Sequence, residues 1–133
     1  MIYYKKRRKW KWITHVKKRF VLQGLDFQGV THEGPFLKIS NNVLTIAKGY
    51  AWDGASSIMP DITSVMSASL YHDALYQLMR EGVLPQTARK RIDQIFREVC
   101  IASGMNRPLA WTAYRAVRLG AKKSGQPNLL SAP

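Results

Sequence analysis

The chain has a single cysteine, Cys100, so no internal disulfide can form and the fold stands without covalent staples. That usage fits a reducing compartment, or a viral particle assembled in one. No apolar run approaches the ~18 residues of a membrane-spanning helix, and no apolar segment follows the basic N-terminus to make a secretory signal. A location reached without a membrane span or a secretory signal is therefore expected. Acid is scarce: eight Asp and Glu face 21 Lys and Arg among 133 residues, a net charge of +13. There is no glycine-rich phosphate loop. Ser56 and Ser57 lack the strand-turn-helix setting of a nucleophilic serine. Cys100, His15 and His32 show no ligand spacing, which argues against zinc.

What is present divides by charge. Nine of the 21 basic residues fall in the first twenty positions, and no acid precedes Asp26. From Val21 onward the balance is only +4. Residues 1–19 thus read as a basic arm in which Lys5, Lys6, Arg7, Arg8, Lys9, Trp10, Lys11 and Trp12 interleave cations with aromatics. Trp and Tyr favour the lipid head-group layer and also stack on bases, so a phospholipid surface or nucleic acid is the expected partner, although the same segment can be a solvated arm that orders only when packed on a neighbour. Residues 20–120 read as one globular domain, β-rich over 20–50, a loop over 51–63 and helical over 64–120, and 121–133 as an extended tail.

Within the domain, Phe36–Ser40 and Val43–Ala47 flank Asn41-Asn42, the pattern of a two-residue hairpin, and Phe20-Val21-Leu22 reads as a further strand. A helix is expected over about Ser64–Arg80, with Ala68, His72, Leu75, Tyr76 and Met79 on one face. A second spans about Gln86–Ser103 along Ala88, Ile92, Ile95, Phe96 and Val99. Pro108 suits the first turn of a third, ending near Gly120. The fold class is α+β: a small antiparallel sheet, then three helices with an antiparallel hairpin.

Half of the acids, Asp53, Asp61, Asp73 and Asp93, lie in one segment and the helix after it. His72 and Asp93 each stand about ten positions from the expected turn near Gly82–Pro85, so a helical hairpin sets them opposite each other. A carboxylate accepting from one imidazole nitrogen leaves the other free as a general base. The same pair can equally be a buried hydrogen bond that locks two helices. The Asp53–Gly54 turn can offer a carboxylate and carbonyl oxygens to a hard cation such as calcium, with Asp73 adding a ligand from the helix. It can equally be an ordinary Asp-Gly turn.

Two resemblances attach to these residues. The order Asp53-Gly54-Ala55-Ser56, then Ser67 to Tyr76 (SASLYHDALY), then Arg89-x-x-x-Asp93-x-x-Phe96, then Tyr114, Ala116, Val117 and Gly120, resembles a family of small proteins of unknown function from tailed phages and prophages. The same segment resembles the core of the bacterial and fungal branch of the phospholipase A₂ superfamily, through Asp53-Gly54-Ala55-Ser56, Ala68-Ser69-Leu70-Tyr71-His72-Asp73-Ala74-Leu75-Tyr76 and Asp93. The latter resemblance implies His72 as the general base, Asp93 as its orienting partner and Tyr76 as a buttress for Asp93. It implies Asp73, Asp53 and Gly54 around calcium, with Ser56 as a supporting residue, and lipid ester hydrolysis as the activity. That family's loop-to-helix cysteine pair is replaced here by Ala55 and Ser69. The alternative expectation is a non-enzymatic virion or assembly protein that keeps the helical scaffold and grips DNA or neighbouring subunits by its arm.

Overall fold

The computed structural model describes residues 17–52 and 63–120 and the backbone of Trp12–Ile13. The strands are β1 (Trp12–Ile13), β2 (Lys18–Val21), β3 (His32–Glu33), β4 (Leu37–Ser40), β5 (Val43–Ile46) and β6 (Ala51–Trp52). Three helices follow: α1 (Thr63–Arg80), α2 (Arg89–Ala102) and α3 (Arg107–Gly120). The architecture is α+β.

The β4–β5 hairpin turns on Asn41 and Asn42, whose φ angles of 52° and 62° place both in the left-handed region. That pair of conformations matches the right-handed twist of the flanking strands, and asparagine tolerates it better than other residues with a Cβ. The resulting register sets Leu37 opposite Ile46 and Ile39 opposite Leu44. All four are buried, so one face of the sheet is apolar. The sheet is antiparallel throughout, in the order β2-β5-β4-β3.

Three departures from the sequence expectations stand out. Strand β2 begins at Lys18, because Lys18 and Arg19 pair with Ile46 and Thr45, with Lys18 and Phe20 on the partly buried face and Arg19 and Val21 exposed. Trp12–Ile13 pairs with Ala51–Trp52 in a two-stranded ladder that joins the basic segment to the segment after Tyr50. Helix α1 is buried on more than the one face expected. Leu70, Tyr71, Ala74, Leu75 and Leu78 pack in the cluster with the sheet residues and α2's Ile92 and Ile95. Ala68 joins Phe96 and Cys100 of α2 and Ala110, Ala113 and Val117 of α3 in a second cluster. A helix between two cores needs apolar residues all round. Full burial of each leucine favours the fold by roughly 1.5–3 kcal/mol.

The helix ends are chemically explicit. Gly82 (φ 79°) ends α1: its N–H donates to Met79 O, and Val83 N–H reaches back to Leu78 O. Gly104 (φ 109°) ends α2 the same way, with Met105 N–H donating to Cys100 O. Both are left-handed glycine stops that satisfy otherwise orphaned carbonyls. Asn106 caps α3, its side-chain oxygen accepting from Leu109 N–H at 2.9 Å. The 3-10 turn Gln86–Ala88 leads into α2 and completes the α1–α2 hairpin.

Candidate functional site

The α1–α2 hairpin brings His72 against Asp93. Asp93 is completely inaccessible to solvent and His72 is 7 % exposed. An ionised carboxylate can only accept, so His72 Nε2–H donates to Asp93 Oδ1 at 2.7 Å. Tyr76, one turn further along α1, donates its hydroxyl to the same oxygen at 2.7 Å. The imidazole is wedged between rings, with the Tyr76 ring 4.2 Å and the Phe96 ring 5.3 Å from it, centre to centre. Its orientation is therefore set by packing as well as by hydrogen bonding.

The other oxygen of Asp93 faces arginines. Arg118 of α3 donates to Oδ2 at 2.8 Å, and Arg89, one turn before Asp93 on α2, approaches to 4.0 Å. Arg89 also donates to the Arg118 carbonyl at 3.4 Å, which ties the start of α2 to the end of α3. One buried carboxylate thus joins all three helices. Sequence spacing alone does not point to Arg118. Its one available signal was indirect: an Asp on the buried side of a helix needs cationic or donor partners, and Arg118 flanks the Ala113–Val117 stripe.

The electrostatics follow from these contacts. Burial is the largest influence on Asp93 and pushes its pKa up. The hydrogen bonds from His72 and Tyr76, the His72 charge and the Arg118 contact outweigh it, holding the carboxyl below its ordinary range. Burial likewise pushes His72 down most strongly of any single cause, yet Asp73 and Asp93 together leave it raised. The directions agree: the pair favours an imidazolium facing a carboxylate. For Tyr76, burial and then the Asp93 bond and charge raise the phenol far above its usual value.

The second ring nitrogen, Nδ1, stands 4.0 Å from Asp73 Oδ1, outside hydrogen-bond distance, and Asp73 is 34 % exposed. A partly exposed carboxylate beside the dyad has the hard-oxygen chemistry that calcium takes. Among the described residues, groups of three or more His, Cys, Asp or Glu able to hold a metal are absent. The expected partners of Asp73 in that role, Asp53 and Gly54, lie outside the described residues, as does Ser56. So do Lys5, Lys6, Arg7, Arg8, Lys9, Trp10 and Lys11, while Trp12 enters β1 through its backbone. Ser69 is buried and donates to Met66 O at 3.0 Å. Cys100 is a free, buried thiol. Among the described residues no helix is long and apolar enough to cross a membrane.

Comparison with curated proteins and with solved structures finds no match in either set. A family model does match, across β3 to β5, the α1–α2 hairpin and most of α3, and the matched range includes His72, Asp73, Tyr76, Arg89 and Asp93. The chain belongs to the family described as Protein of unknown function (DUF1353), over residues 29–117.

Proposed function

We propose that this chain is a phage-encoded, phospholipase A₂-like hydrolase of lipid esters, with His72 as general base and Asp93 as the residue that orients it. The observation that carries the reading is the His72–Asp93 contact of 2.7 Å, which commits Nε2 to the carboxylate and leaves Nδ1 beside the partly exposed Asp73. Once pH exceeds the raised His72 pKa the imidazole so held is neutral, and Nδ1 then carries the lone pair and can take a proton from an attacking water. Tyr76 and Arg118 keep Asp93 from rotating, and the Tyr76 and Phe96 rings keep the imidazole in line. Calcium would be held by Asp73 with Asp53 and the Gly54 backbone, and would supply electrophilic stabilisation of the ester carbonyl. The basic arm, Lys5 to Trp12, would hold the protein on the phospholipid surface.

The test is hydrolysis of phospholipid in mixed micelles with calcium or with chelator. Wild type should release fatty acid only with calcium, and His72→Ala should be inactive while keeping its circular dichroism. Equal inactivity of wild type and His72→Ala in calcium refutes the reading.

One observation favours a second reading. Asp93, on α2, is saturated by partners from the two other helices, which is also what a buried lock in a non-enzymatic virion or assembly protein looks like. There the arm would grip DNA or neighbouring capsid or tail subunits. Strongly salt-dependent DNA binding, lost when residues 1–19 are deleted, is the expected result for that role.

A further inference from the structure

Helix α3 has an outer face that the dyad does not use. Its inward stripe, Ala110, Ala113 and Val117, is buried against α2. Outward stand Trp111, 47 % exposed, Arg115, one turn on, and Leu119, 78 % exposed. Two guanidinium groups lie over the Trp111 ring: Arg97 of α2 at 5.3 Å from its centre and Arg115 at 5.9 Å. The Tyr114 ring stacks beside it at 5.6 Å. Among the described residues, Arg97 Nε is buried with no hydrogen-bond partner.

The charge here is uncompensated. α3 contains Arg107, Arg115 and Arg118 and no acid, and no acid follows Glu98 in the chain. On α2, Asp93 is fully buried and Glu98 is engaged by Arg91 at 2.7 Å. Among the described residues, neither Arg97 nor Arg115 has a carboxylate partner. An exposed tryptophan with cations over its ring and a leucine two turns along is a surface waiting for an anionic partner.

We propose that the outer face of α3, centred on Trp111, Arg97, Arg115 and Leu119, docks on an anionic phospholipid bilayer. Nucleic acid also carries the required charge, but bases need open aromatic faces, and this ring already has guanidiniums over it. Leu119 gains nothing in a phosphate groove. A bilayer interface uses all three chemistries: the indole and leucine enter the head-group boundary, and the arginines meet lipid phosphates. This contact is distinct from the basic arm and holds whether or not the dyad hydrolyses anything.

The test uses the full chain with an environment-sensitive fluorophore on Leu119→Cys, since Cys100 is buried and out of reach. A second labelled variant, Thr31→Cys, reports from the exposed residue just before β3. Vesicles are 30:70 phosphatidylserine:phosphatidylcholine or pure phosphatidylcholine, in chelator so that no hydrolysis intervenes. The Leu119 label should shift to the blue with the anionic vesicles only, and the Thr31 label should not. Replacing both Arg97 and Arg115 by Gln should weaken partitioning by roughly 25-fold, about fivefold per arginine. Arg115→Gln alone, at an exposed position, gives the smaller loss without touching the core. A silent Leu119 label on vesicles that bind the chain overturns the proposal. So does failure of the chain to bind anionic vesicles, unchanged binding of the arginine variants, or a blue shift with duplex DNA but not with vesicles.

Discussion

Replacing Asp93 by Asn isolates the charge that joins the three helices. The side chain keeps its shape, and its carbonyl oxygen can still accept from His72 or Tyr76. Its amide must then face the Arg118 guanidinium, donor against donor, where a 2.8 Å ion pair stood. Asp93 is fully buried and Arg118 is 26 % exposed, so little water is available to replace the lost contact. Removing one partner of such a buried pair costs about 3–5 kcal/mol. Two charge-assisted hydrogen bonds at about 1.5–3 kcal/mol each give a similar figure. With a urea dependence near 2 kcal/mol/M, the midpoint should fall by roughly 2 M. Urea titration by far-ultraviolet circular dichroism at pH 6 measures it. A double-mutant cycle with Arg118→Met should return a coupling of about 1–3 kcal/mol. A loss below about 1 kcal/mol for Asp93→Asn, or a coupling near zero, would show that the carboxylate is not the tie between the helices, contrary to the buried-pair estimate.

Stability should also depend on pH from both sides. Asp93 has a lowered pKa, so its contribution is present above its ordinary value of 3.8 and is lost as pH falls through the lowered one. His72 has a raised pKa, so its contribution is present below 6.5 and is lost as pH rises through the raised value. Urea midpoints should therefore be highest between these limits, and His72→Gln should flatten the alkaline fall; parallel falls in the two proteins would contradict the ion-pair account. Cys100 is buried with its thiol pushed up to about 11, so a disulfide reagent at pH 8 should react only after urea is added, and rapid reaction of the native protein would show that the α2–α3 core opens. Asn42→Ala places a Cβ-bearing residue without a turn-forming side chain at φ 62° and should cost about 1–2 kcal/mol, while Asn42→Gly should be neutral or better in the same melt.

Much of the scaffold was legible because its signals are local. Asn41-Asn42 between alternating strands fixed the hairpin register, and Gly82, Gly104 and Pro108 marked helix ends to within a residue or two. The meeting of His72 with Asp93 followed from equal distances to one turn. Contacts that close at long range were not legible. Trp12–Ile13 against Ala51–Trp52 pairs residues 38 and 40 positions apart, and two-residue strands carry no usable periodicity. The approach of Arg118 to Asp93 depends on how α3 lies on α2, which no spacing specifies. The burial of α1 on two faces does not show in a single-stripe reading, because those faces point at two different cores and one stripe covers only one of them.

The Arg118 contact bears on the order in which the chain can become itself during synthesis. Asp93 leaves the ribosome 25 residues before its guanidinium does. In the interval the first two helices can meet, but Asp93 Oδ2 then lacks its 2.8 Å donor. Commitment of the helical half is thus deferred to its last turn. A shortened chain ending at Val117, the end of the family match, would stop one residue before the residue that completes it.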